Sequence, residues 1–176
     1  LLHQVNLWAV RKKAVAGFSG GMRQRFGIAQ ALIGQPSLII VDEPTAGLDP
    51  EERNRFLNLL VEVGEQVVII LSTHVVEEVA DLCPRVAVLA GGRILLEGAP
   101  LDLIEKSRGR LWRKVIPREA LEQYQRDYRV IAVRLFAGRT IIHIEAESDP
   151  GAGFEPMEGS LEDVYFRTLD NARRAA

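Results

Sequence analysis

Two short apolar runs frame the N-terminal half of the chain. Leu38-Ile39-Ile40-Val41 is ended by Asp42-Glu43-Pro44, and Val67-Val68-Ile69-Ile70-Leu71 is ended by Ser72-Thr73-His74. Unbroken runs of this length predict strands buried on both faces, as in a parallel sheet. Between them Phe56, Leu59, Leu60 and Val63 recur at helical spacing, and Asp49-Pro50-Glu51-Glu52 supplies an N-cap, a proline at the first helical position and a carboxylate at the third. Strand, helix, strand predicts an α/β architecture with a mostly parallel sheet. The polar residues ending both strands fall at one edge, and ligands of open α/β sheets bind in the crevice beyond that edge.

The flanking segments extend the pattern. Met22, Phe26, Ala29 and Ile33 fall on one face of a helix that starts after Phe18-Ser19-Gly20-Gly21. Downstream, residues 75–83 predict a helix stopped by Pro84, and Val86-Ala87-Val88-Leu89 and Arg93-Ile94-Leu95-Leu96 predict a hairpin around Ala90-Gly91-Gly92. Gly98-Ala99-Pro100 leads into a short helix near residues 101–105. The basic, glycine-containing Ser107-Arg108-Gly109-Arg110 is the candidate linker, dividing the chain into residues 1–106 and an accessory α+β region, residues 107–176. There, residues 111–116 predict a strand, 118–127 a helix, and 130–136 with 140–146 a hairpin around Ala137-Gly138-Arg139. Alternation turns Ile142, Ile144 and Ala146 inward and leaves His143 and Glu145 on the solvent face. Residues 149–159 read as a loop, after which Ser160 and Asp163 cap a final helix with Leu161, Val164, Tyr165 and Leu169 in one apolar stripe.

Composition narrows the function classes. With 47% hydrophobic and 26% charged residues in 176, the chain is an ordinary globular sequence able to build one or two small cores. A formal charge of -2 gives no electrostatic grip on nucleic acid or anionic lipid, so no nucleic-acid partner is expected. No apolar run approaches the ~18 residues of a membrane span, so no direct membrane insertion is expected. Cys83, the single cysteine, forms no internal disulfide and reads as a small packing residue in a reducing compartment. Trp8 and Trp112 read as packing residues. The chain opens on Leu1-Leu2-His3 inside an amphipathic stretch, which reads as a piece of a longer protein.

Three places carry chemistry. Ser19-Gly20-Gly21 at a helix start offers free backbone N–H groups, the positive end of a helix dipole and room for an anion, so it reads either as a phosphate cradle or as an N-cap serine with flexible glycines. Asp42 and Glu43 are adjacent acids at a strand end. One carboxylate there can hold magnesium through its water shell, while its neighbour accepts a proton from an attacking water; alternation aims them at opposite sides. His74 ends the next strand and reaches the same crevice, either as a functional group or as a hydrogen-bonded structural residue.

Phe18-Ser19-Gly20-Gly21-Met22 followed by Arg23-Gln24-Arg25 resembles the signature of the ABC ATPase family. Leu38 to Glu43 resembles its Walker B strand and catalytic glutamate, Ala46-Gly47-Leu48-Asp49 its dimer-interface loop, and Ser72-Thr73-His74 its switch histidine. The resemblance covers about residues 1–105 and implies part of a P-loop-NTPase-like sheet using ATP and Mg2+. It further implies that two nucleotide-binding subunits pair head to tail, with Ser19, Gly20 and Gly21 touching the γ-phosphate of ATP on the partner subunit. Asp42 then positions magnesium, Glu43 polarises the attacking water, His74 contacts the γ-phosphate and Asp49 couples the two sites.

Phe18 and Met22 stand where leucine and glutamine are commonest, a variation that resembles exporter subunits acting through a separate membrane permease; Gly159-Ser160-Leu161-Glu162-Asp163-Val164-Tyr165 resembles the C-terminal end of such subunits. The implied location is the cytoplasmic face of the cell membrane, held there by the permease. No Gly-x-x-x-x-Gly-Lys-Ser/Thr occurs in these residues, so the principal triphosphate cradle is absent from the chain and it is expected to be inactive alone. Two other readings remain: a regulatory module that lends its signature to an intact ATPase, and a DNA-repair type of ABC ATPase. The latter is opposed by near-neutral charge, the absence of long heptads and the presence of His74.

Overall fold

A computed structural model describes residues 1–174 of the chain. By packing, the chain forms two compact units, Leu1–Val75 and residues 76 onward.

In the first unit, residues 1–19 form turns and short 3-10 segments. Helix α1 (Gly20–Ala31) follows, then strand β1 (Leu38–Asp42), helix α2 (Pro50–Gly64) and strand β2 (Val68–Ser72). The two strands pair in parallel, from Leu38 opposite Val68 to Asp42 opposite Ser72, with α2 as the crossover. Helix α2 starts as its sequence predicts: the Glu52 N–H donates to Asp49 Oδ1 at 2.9 Å and Pro50 occupies the first turn. Phe56, Leu59, Leu60 and Val63 are its buried residues.

Two expectations are corrected in this unit. The strands are covered on one face: Ile39 is buried while Ile40 is 71% exposed, and Leu38, Val68 and Ile70 are exposed on the same side. A single crossover helix can cover only one side of a two-stranded sheet. Of the stripe expected on helix α1, Ala29 is buried and Met22 and Phe26 are half-buried, but the buried set also takes in Gly21, Arg25 and Ile28, and Ile33 is exposed because the helix ends at Ala31 and a 3-10 turn follows.

The second unit contains α3 (Val76–Leu82), the hairpin β3 (Val86–Ala90) and β4 (Arg93–Gly98), and α4 (Pro100–Glu105). It continues with β5 (Leu111–Ile116), α5 (Leu121–Asp127), β6 (Val130–Phe136), β7 (Arg139–Glu145), β8 (Glu155–Pro156) and α6 (Leu161–Arg174). Gly91 and Gly92 both adopt positive φ, 56° and 70°, which the tight β3–β4 turn requires. The C-terminal sheet has order β6-β7-β5-β8, antiparallel throughout.

The packing boundary lies earlier than the expected one near Ser107. Leu161 and Val164 of α6 bury against Leu103 together with Val76, Val79, Val86, Leu96 and Ile104, so the returning helix ties α3, the hairpin and α4 into the C-terminal unit. Ser107 is only 1% exposed and its N–H donates to the Ile104 carbonyl at 2.9 Å, so the segment is a hydrogen-bonded turn anchored at Ser107, with residues 108–110 exposed, rather than a free linker. The loop expected over residues 149–159 contributes the short β8 and buries Phe154 with Ile116, Ile142 and Ile144.

The largest correction concerns the β7 face expected to meet solvent. His143 is 6% exposed, and its Nδ1 lies 2.7 Å from Asp163 Oδ1. Helix α6 covers this face with charge. Arg134 pairs with Glu162 at 2.5 Å, Arg129 with Glu145 at 2.6 Å and Asp170 at 3.0 Å, and Arg167 with Glu145 at 3.4 Å. The start of α6 is capped reciprocally as expected, with the Asp163 N–H donating to Ser160 Oγ at 3.2 Å and the Ser160 N–H to Asp163 Oδ2 at 2.9 Å.

Candidate functional site

The parallel register sets the site. Asp42 and Ser72 are direct neighbours at the carboxyl ends of β1 and β2, and the Ser72 hydroxyl donates to Asp42 Oδ1. The Glu43 N–H donates to the Ser72 carbonyl at 2.8 Å, continuing the ladder one residue past β1. Glu43 itself has φ 44°, in the left-handed region, so strict alternation stops at Asp42. That turn brings Glu43 Oε2 to 2.8 Å from His74 Nδ1. Asp42, Glu43, Ser72 and His74 therefore converge at one open edge, with the His74 side chain 77% and that of Glu43 37% exposed.

The chemistry available there is acid–base and cation binding. A solvent-facing carboxylate hydrogen-bonded to a neighbouring hydroxyl presents hard oxygen donors of the kind magnesium takes through one or two protein ligands while keeping several waters. Asp42 with Ser72 fits that role. Glu43, beside an imidazole, is placed to accept a proton from a water outside the strand ends.

Ser19, Gly20, Gly21 and Asp49 form a second group at the adjoining starts of α1 and α2. Ser19 acts as an N-cap, accepting from the Met22 N–H at 3.2 Å. A Cβ on Gly20 would stand 3.8 Å from Leu48 Cδ2, placing the signature turn beside the loop that ends in Asp49. Gly21 is buried, and a Cβ there would come within 2.3 Å of Glu52 Oε2 and 3.2 Å of Glu52 Cβ. Glu52 in turn receives the buried Arg25 guanidinium at 2.6 Å. Sequence reasoning missed this pair, although Arg25 in the signature and Glu52 in the first turn of α2 were the available signal. The second glycine thus gives α2 its close approach to α1. Two helix N-termini side by side make this turn attractive to an anion.

Gly21→Ala is expected to destabilise the chain by about 1–3 kcal/mol through overpacking against Glu52. Glycine-to-alanine in an unconstrained helix would stabilise by up to ~1 kcal/mol. The sign of the change in urea denaturation therefore tests the close approach.

The ABC transporter family model matches residues 1–46. An uncharacterized ABC transporter ATP-binding protein of Bacillus subtilis, YxlF, is 28% identical over 184 residues, covering 96% of this chain and 62% of the relative. The Nod factor export ATP-binding protein I of Rhizobium etli is 47% identical over 54% of this chain and 30% of its own length. The methionine import ATP-binding protein MetN of Burkholderia thailandensis is 39% identical over 66% of this chain and 34% of its own length. Among solved structures, cbiO1 of Clostridium perfringens, part of the ABC transporter complex cbiONQ, superposes with a TM-score of 0.56 at 34% identity, over 60% of this chain and 43% of that one.

Residues 1–46 thus match the ABC transporter family model, and the chain is similar to ABC transporter ATP-binding proteins and shares the α/β fold of their cassettes. It spans less than two thirds of the length of these relatives, 62% of the Bacillus protein and about a third of the others.

Proposed function

We propose that this chain forms part of the ATP-hydrolysing subunit of an ABC transporter that drives export through a separate membrane permease. The observation that carries the catalytic reading is the convergence of Asp42, Glu43, Ser72 and His74 at one sheet edge. In this reading Glu43 takes the proton of the attacking water, Asp42 holds magnesium, and His74 orients Glu43 and reaches the γ-phosphate. Magnesium supplies charge neutralisation at the phosphates. Ser19, Gly20, Gly21 and Asp49 serve the nucleotide of a second subunit paired head to tail. Their placement as a separate group at the starts of α1 and α2 supports that division of labour.

Export is favoured by the higher identity to the Nod factor export proteins than to the methionine import protein, 44–47% against 39%. ATP-dependent accumulation of cargo inside inside-out vesicles carrying the subunit and its permease is the expected result; ATP-dependent loss from preloaded vesicles would assign import.

The chain of residues 1–176 by itself is expected to show no ATP hydrolysis and no micromolar ATP binding. The signature turn can reach only the γ end of a nucleotide, while alignment of water requires the triphosphate to be anchored. Titration calorimetry with magnesium-ATP measures this directly. Micromolar binding that disappears in Asp42→Ala would show that the present half-site suffices without a phosphate loop.

A further inference from the structure

Glu52 joins the two helix starts of the second group through both its backbone and its side chain. Its N–H donates to Asp49 Oδ1 at 2.9 Å, while its Oε2, beneath Gly21, receives the Arg25 guanidinium at 2.6 Å. Arg25 is 7% exposed, so this bond is shielded from water. Its neighbour Gln24 donates from Nε2 to the Ala46 carbonyl at 3.5 Å, on the loop that ends in Asp49. The fully buried apolar residues of α1, Ile28 and Ala29, lie about two turns from its start. Near the Ser19 turn, α1 is therefore tied to the 46–52 segment by directional bonds and by the close approach at Gly21.

We propose that Arg25 and Glu52 are a positioning pair that holds the Ser19 turn and the Asp49 loop in one fixed relation, so that both meet the nucleotide of a second subunit as a single rigid surface. This rests on the reading that Ser19, Gly20, Gly21 and Asp49 serve a nucleotide held by that second subunit. Stability alone does not account for the pair, because desolvating two charges offsets their attraction and apolar side chains of similar volume are often as stable in such a place. Apolar packing is non-directional. A charge-assisted bond between a planar guanidinium and a carboxylate fixes both distance and orientation. Glu52 also carries the amide bonded to Asp49, so a shift of α1 along α2 acts directly on the residue that anchors the Asp49 cap. Misplacement of a positioned group by 1 Å can slow a reaction by about 10²-fold.

The test uses a subunit carrying this chain behind a phosphate-binding loop. Arg25→Met combined with Glu52→Leu replaces the pair by apolar side chains, and its thermal melt is expected to stay at or above the native one. Its turnover is expected to fall at least about tenfold, with ATP binding by its own phosphate loop unchanged. In a head-to-tail pair, each site joins Glu43 of one subunit to the signature turn of the other. Mixing the double variant with Glu43→Gln, each slow alone, is therefore expected to restore turnover well above that of either, which a misfolded subunit could not do. Ser19→Arg mixed with Glu43→Gln is the control. Recovery in the control, together with native turnover in the double variant or no recovery in its mixture, would overturn the proposal and leave the head-to-tail reading standing. No recovery in the control would remove that reading and the proposal with it. Should the double variant melt below the native subunit, Arg25→Lys, which keeps the charge and loses the planar fork, is judged by the same outcomes.

Discussion

With Glu43 replaced by glutamine, a subunit carrying this chain behind a phosphate-binding loop is expected to bind ATP normally and to hydrolyse it about 10² to 10⁴ times more slowly, the usual contribution of a positioned general base. Glutamine keeps the length and polarity of the side chain and can still hydrogen-bond His74 Nδ1, which lies 2.8 Å from Glu43 Oε2. What it removes is the basic oxygen. The left-handed backbone at Glu43 and its N–H bond to Ser72 are main-chain features, so they survive the substitution. Binding and turnover should therefore separate, which is the signature of a group acting in the transition state rather than in nucleotide affinity. Unchanged steady-state turnover would remove Glu43 from the role and leave His74 as the remaining base at that edge.

The second large effect is expected at Asp163. Truncation to alanine should cost about 3–5 kcal/mol, because it strands a buried histidine without its carboxylate, and should remove the cap of α6 as well, worth about 1 kcal/mol. A loss of that size is a large share of the stability of a single domain. The pair also makes stability depend on pH. Burial pushes the Asp163 carboxyl up, while hydrogen bonds from His143 and Ser160 outweigh burial and hold it below the ordinary value of 3.8. A depressed carboxylate stabilises the fold above its unfolded value, and that contribution fades as pH falls below 3.8 toward the folded value. Urea midpoints measured from neutral pH down through this window should fall more steeply for the native chain than for Asp163→Asn, which keeps a capping oxygen without the charge. Parallel curves would dissociate Asp163 from the acid sensitivity.

The elements whose sequence carries local punctuation were legible. Asp49-Pro50 starts α2, Gly91-Gly92 closes β3 onto β4, and Ser160 with Asp163 opens α6, each through a bond or dihedral that a few neighbouring residues determine. The candidate site was legible for the same reason: strands ending in Asp42 and Ser72 run parallel, so their polar ends meet. Tertiary coverage was not legible. Alternation assigns His143 and Glu145 to one face of β7 but does not say what covers that face, and here a helix with Glu162, Asp163, Arg167 and Asp170 does so. Arg134, His143 and Glu145 recurring opposite that acidic and basic helix was the available signal. Ser107 misled by its neighbours: glycine and arginine suggest a linker, yet the turn packs under Gly159, where a Cβ would meet Leu111 Cδ1 at 2.8 Å.

Helix α6 makes one hydrophobic contact set, with Leu103 and its neighbours, and one ionic set, with the β6–β7 face. A terminal helix docked on one side would fray, exchanging its amide hydrogens through small local openings. This helix cannot leave either neighbour without breaking the other's contacts, and its cap residue is also the partner of His143. Its central amides should therefore exchange with the same opening free energy as those of Ile142 and Ile144, as one cooperative unit of folding rather than as a detachable tail.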